Sequence, residues 1–118
     1  PVDGFYEWQK TDKGKEPFSI SLRSGKPFGL AGLYERWLSP DPKPIQPCPI
    51  ITTEANELVK SIHDRMPVII ESKFYNFWMN PDNHDQAGLL ALLKPYPAGE
   101  MTAVPADPFV LNKQQKEI

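Results

Sequence analysis

The sequence predicts an α+β fold: mainly antiparallel β-sheet in a barrel-like meander, with a few short helices. Three observations carry that expectation. Apolar and polar residues alternate with a period of two in several short segments, as half-buried strands require. Fourteen prolines among 118 residues, more than twice ordinary usage, argue against a helical bundle. The stretches that carry helix-start signals are all short.

Residues 2–9 read as the first strand, with Tyr6 and Trp8 on one side and Phe5 and Glu7 on the other. Asp12-Lys13-Gly14 supplies turn chemistry, and residues 17–22 alternate through Phe18, Ile20 and Leu22 as a second strand. Ser24-Gly25 turns again into an apolar third strand, residues 28–34, so that three consecutive strands form a meander. Residues 38–49 carry Pro40, Pro42, Pro44, Pro47 and Pro49, an extended exposed loop that cannot pair inside a sheet. Ile50-Ile51-Thr52 is a short strand, and Thr53 caps a helix ending at Ile62. Val68-Ile69-Ile70 is a β-branched strand that Pro67 helps to start. Ser72 caps a short helix bearing Phe74, Phe77 and Trp78. Asn83 and Gln86 form a capping box for a helix over residues 84–93, stopped at Lys94-Pro95. Residues 101–105 make the last strand, and the polar tail 113–117 frays.

A chain of 118 residues and 13.4 kDa holds one domain at most. A net charge of −2 gives no general nucleic-acid signature, although a local basic groove is compatible with an acidic domain. The single cysteine, Cys48, excludes an internal disulfide and suits a reducing compartment, the cytoplasm. No apolar run approaches a membrane span, so no membrane partner is expected. Pro1-Val2-Asp3 leads directly into a strand without an initiator Met, and the chain is expected to be the later portion of a longer protein.

Glu7 and His63 are the candidate acid/base residues. A strand interior suits a carboxylate poorly; if the Phe5 face is buried, Glu7 is placed to donate a proton, and otherwise it is a rim glutamate in water. His63, between a helix and Pro67, can shuttle protons near neutrality or cap the helix C-terminus. Asp64-Arg65 reads as a structural ion pair or a set of loop anchors, and Arg65 can instead meet a phosphate. Thr52, just before a predicted helix N-terminus, is a candidate phosphate contact. His84 reads as solvated. Cys48 and His63 can be imagined as a nucleophilic pair, but a bland, half-buried loop cysteine fits the flanking prolines better. One cysteine and two separated histidines have no metal-ligand spacing, so neither a metal nor another cofactor is expected.

Four segments taken in order, Gly4-Phe5-Tyr6-Glu7-Trp8, Ala31-Gly32-Leu33-Tyr34-Glu35, Ile50 to Asn56 and Ile62-His63-Asp64-Arg65-Met66-Pro67, resemble the C-terminal part of a SRAP domain. This is the SOS response-associated peptidase family. Weaker matches follow in Tyr75-Asn76-Phe77-Trp78-Met79 and Val110-Leu111-Asn112. The resemblance implies a monomeric enzyme of the bacterial cytoplasm and nucleoid, with peptidase- or lyase-type chemistry. Its partner is single-stranded DNA containing abasic sites, which it senses or shields. In that family a cysteine exposed by removal of the initiator Met condenses with the abasic-site aldehyde, first as a Schiff base and then as a thiazolidine. The resemblance gives Glu7 the acid/base role and His63 proton transfer and stabilisation of the intermediate, and it aligns Thr52 with a position near DNA phosphate. The N-terminal half of the domain, with the nucleophilic cysteine and the asparagine and arginine that orient the sugar, is missing from residues 1–118, and Cys48 does not match the nucleophile. Two other readings stay open at this point: a thiol peptidase acting on peptides, and a non-catalytic binding remnant.

Overall fold

The computed structural model describes residues 1–33 and 48–107. Tyr34 and Glu35, most of the proline-rich loop, and the expected features beyond residue 107 lie outside the described residues. β1 (Phe5–Thr11) and β2 (Gly14–Leu22) form the expected hairpin, with Phe5 opposite Ile20 and Thr11 opposite Gly14. Gly14 sits at φ +108°, where a side chain is strained, so the turn uses the one residue type that reaches it freely.

The expected three-strand meander is not formed. β2 pairs along its other edge with β7 (Met101–Pro105), giving the order β1-β2-β7. The third strand, β3 (Gly29–Leu30), leaves this sheet and pairs antiparallel with β6 (Ile69–Ile70). β4 (Thr52–Glu54) and β5 (Arg65–Pro67) make a third two-stranded sheet. All three sheets are antiparallel, and no closed barrel is present among the described residues. The physical reason lies in burial. Phe28 and Ala31 are both buried, so the segment around β3 needs partners inside the molecule, and β6 with its two buried isoleucines supplies them.

Residues 28–33 act as a common seam. Phe28 bridges Val2, Gly32 bridges Ile50, and Leu33 N–H donates to Pro49 O. At its centre three backbone bonds close a ring: Ala31 N–H to Val68 O, Val68 N–H to Ile51 O and Ile51 N–H to Ala31 O, each 2.9 Å.

α1 (Glu57–Lys60) starts later than expected. Thr53 does not cap it, because Thr53 is paired with Met66 across β4 and β5. Asn56 is the cap, its side-chain oxygen accepting from Val59 N–H at 3.0 Å. Ser72 opens a single 3-10 turn without acting as its cap and leads into α2 (Tyr75–Met79). α3 (Gln86–Ala91) is capped by Asp85, which accepts from Gly88 N–H at 3.0 Å. Asn83 instead accepts from Asp85 N–H and donates to Phe77 O. Ile20, Phe28, Val59, Ile62, Met66, Ile69 and Met101 form the main core, against which Phe5 and Phe18 pack. A second cluster of Ala31, Val68 and Ile70 gathers Phe74, Tyr75 and Trp78 from the helical side.

Candidate active site

Alternation along β1 puts Glu7 on the core face, as its spacing from Phe5 requires. Phe5 opposes the fully buried Ile20, and Glu7 opposes Phe18. One pair further on, Gln9 opposes Glu16, so the apolar face ends at Glu7. The carboxylate is therefore half-buried at the margin of the core rather than enclosed in it. Its Oε1 accepts from Trp8 N–H at 3.4 Å.

His63 follows α1 directly. Ile62 N–H and His63 N–H both donate to Val59 O at 2.8 Å, and the buried Ile62 anchors the turn. Gln9 Nε2 donates to Ser61 O at 2.8 Å and ties this turn to β1. The His63 ring bonds forward rather than back onto the helix. Its Nδ1 accepts from Arg65 N–H at 3.1 Å when that nitrogen carries no proton. Asp64 Oδ1 lies 3.3 Å from the same Nδ1 and Arg65 O lies 3.2 Å away, two acceptors ready for a protonated ring. The ring is 44% exposed and has hydrogen-bond partners whether or not Nδ1 carries a proton. Glu7 and His63, 56 positions apart, line one cleft of about 710 Å³ together with Trp8, Lys10, Lys15 and Asp64.

Thr52 and Arg65 are joined on the exposed side of the third sheet. Arg65 Nη2 donates to Thr52 O at 3.0 Å and to Thr52 Oγ1 at 3.2 Å. Two expectations change here. Thr52 lies within β4 and not at a helix N-terminus, since α1 begins five residues later. Arg65 is held by Thr52, while Asp64 turns to His63. Arg65 N–H reaches the His63 ring, but neither Thr52 nor Arg65 lines the cleft. Cys48 is exposed rather than half-buried, and it lines a separate pocket with Leu33, Tyr75 and Met79. The structure therefore does not bring Cys48 to His63. His84 is exposed at the approach to α3.

Sequence reasoning missed Gln9, Lys10 and Lys15, and it gave Asp64 the wrong partner. Alternation could have placed Gln9 beside Glu7 on the inner face. No local signal shows that it reaches Ser61, 52 residues away. Lys10 and Lys15 become neighbours only through the hairpin register.

The family model described as "SOS response associated peptidase (SRAP)" matches residues 1–113. Abasic site processing protein YoqW of Bacillus subtilis is 49% identical over 104 residues, covering 87% of this chain and 46% of that protein. Abasic site processing protein YoaM of the same organism is 48% identical, covering 87% of this chain and 46% of its own length. A crystal structure of a protein from Bacteroides thetaiotaomicron superposes with a TM-score of 0.82 at 32% identity, over 93% of this chain and 49% of that one. The chain thus spans about half the length of the curated relatives it matches. With a family match over nearly its whole length, on the fold and motifs described above, the chain belongs to the SOS response associated peptidase (SRAP) family.

Proposed function

We propose that this chain is the C-terminal portion of an abasic-site processing protein that crosslinks covalently to abasic single-stranded DNA, with Glu7 and His63 as its acid/base pair. The observation that carries the reading is the convergence of these two side chains on one cleft, in a family whose relatives bear the name abasic site processing protein. An aldehyde and an amine first give a carbinolamine, which must lose water to become a Schiff base. That loss needs a proton delivered to the departing hydroxyl, and Glu7 at the cleft wall is the donor. The amine must also shed a proton, and His63 accepts it, Asp64 and Arg65 O holding the resulting cation. A thiol then adds to the Schiff-base carbon and closes a thiazolidine. Amine and thiol both come from a cysteine outside these 118 residues, which Cys48 in its separate pocket does not replace.

The test uses the longer protein that contains this chain, incubated with a single-stranded oligonucleotide bearing one abasic site and resolved on a denaturing gel. Glu7→Gln and His63→Ala should each slow formation of the covalent band by about 10²-fold or more, as loss of a general acid or base does. Wild-type rates in both variants would refute the assignment. Absence of any covalent band with the unsubstituted protein would refute the function itself.

A further inference from the structure

Lys10 and Lys15 are direct Cα partners across the β1–β2 hairpin, so their side chains leave the same face of the ribbon. Both are exposed, and both line the cleft that holds Glu7 and His63. Like charges directly opposite one another destabilise a strand pair. Among the described residues neither lysine has an ion-pair partner to relieve that repulsion. Glu16, the nearest carboxylate in the strand, opposes Gln9 on the other face. The chain as a whole is acidic, with a net charge of −2, so this pair is a local exception.

We propose that Lys10 and Lys15 form a phosphate clamp at the mouth of the cleft, gripping the backbone of the single strand whose abasic sugar enters it. The proposal rests on the function proposed above and adds to it a binding site on the β1–β2 hairpin. Lys10 stands three positions from Glu7, roughly 10 Å at strand rise, on the opposite face of β1, and both line the cleft because β1 is an edge strand. A phosphate held by the lysines is therefore close enough to fix the neighbouring sugar against the acid/base pair. An anion between the two ammonium groups also removes their mutual repulsion, so the clamp closes only when occupied. Trp8, one register step inward on the same face, offers its ring to the adjoining base.

Fluorescence anisotropy of a single-stranded oligonucleotide, titrated with the longer protein that contains this chain at several salt concentrations, tests this. Each lysine that neutralises a phosphate contributes about 0.7 to the slope of log K against log salt on single strands. The double variant Lys10→Ala/Lys15→Ala should lower that slope by about 1.4. Lys10→Arg/Lys15→Arg should restore it. The double variant Lys26→Ala/Lys94→Ala, which removes the same charge at two lysines that do not line the cleft, should leave it unchanged. In the absence of DNA, Lys15→Glu should raise the melting temperature by a few degrees, because it turns a repulsive cross-strand pair into an attractive one. An unchanged slope in Lys10→Ala/Lys15→Ala, with binding otherwise intact, would overturn the clamp and leave the proposed function standing. An equal loss of slope in the Lys26/Lys94 control would also overturn it, as general electrostatics. Failure of the unsubstituted longer protein to bind any single strand would overturn both.

Discussion

A Cβ placed on Gly4 would lie 2.7 Å from the carbonyl oxygen of Ile20, in backbone that cannot move without opening the base of the β1–β2 hairpin. The glycine of the Gly4-Phe5-Tyr6-Glu7-Trp8 motif is thus a packing requirement that lets β1 run close to β2 and aim Glu7 at the cleft. Gly4→Ala should destabilise the chain by about 1–3 kcal/mol, the ordinary cost of overpacking, read as a lower urea midpoint. A neutral result would show that the hairpin base yields. Cys48 makes the opposite case. It is exposed and shares no pocket with His63, so Cys48→Ser in the longer protein should leave abasic-DNA crosslinking within a few-fold. Loss of the crosslink in that variant would instead make Cys48 the nucleophile. Glu7 and His63 were legible in the sequence as candidates, whereas Gln9, Lys10 and Lys15 beside them were not. Nor was the reason for Gly4, because a close approach between strands is invisible until their register is known.

At the level of elements, α1 shows what short-range signals can and cannot decide. Thr53 and Asn56 are both good cap residues, and the β-branched run through Thr53 tips that position toward strand, leaving Asn56 to cap. Asn56 does more than start a helix. Its Nδ2 donates to Tyr96 O at 2.7 Å and so fastens the turn before β7 to the element that carries His63. Asn56→Ala should cost about 1–2 kcal/mol in stability, through the lost cap and the orphaned carbonyl, and should slow crosslinking by loosening His63. The Tyr96 phenol is pushed up to about 12, first by burial and then by its hydrogen bond to Glu100 and the charge of that carboxylate. A raised pKa means that the folded state holds the proton more tightly than the unfolded chain. The stabilisation is complete below the ordinary tyrosine value of about 10 and is lost as pH climbs toward 12. Melting temperatures should therefore fall more steeply across that window in the unsubstituted chain than in Tyr96→Phe. An identical pH dependence in the two would assign the alkaline loss to other groups.

Over the whole molecule, periodicity in sequence reported which face of a strand is buried but not which strand lies beside it. The β1–β2 hairpin and β7 were legible for that reason. The partition into three sheets was not, because β3 meets β6 across 40 positions and β2 meets β7 across some 80. One surface stands apart. Leu33, Met79 and Leu90 are 53%, 67% and 65% exposed along a groove of about 810 Å³ floored by Trp78, Leu89 and Leu93. An apolar surface of this kind promotes association. Leu33→Ser/Leu90→Ser should raise the soluble yield and lower binding of an apolar dye, with little change in melting temperature. A drop of many degrees would show that both leucines pack as core.

The ring of hydrogen bonds through Ala31, Ile51 and Val68 has a kinetic meaning. Each of the three amides donates to one neighbour while its own carbonyl serves the other, so no single segment can peel away without stranding both partners. Two long stretches of chain must be closed before the ring exists, which makes it a late event with a large loop-entropy cost. Once formed it turns three separate segments into a single opening unit. In native-state hydrogen exchange the amides of Ala31, Ile51 and Val68 should be released together, at one common opening free energy, after the hairpin tip at Thr11 has already exchanged.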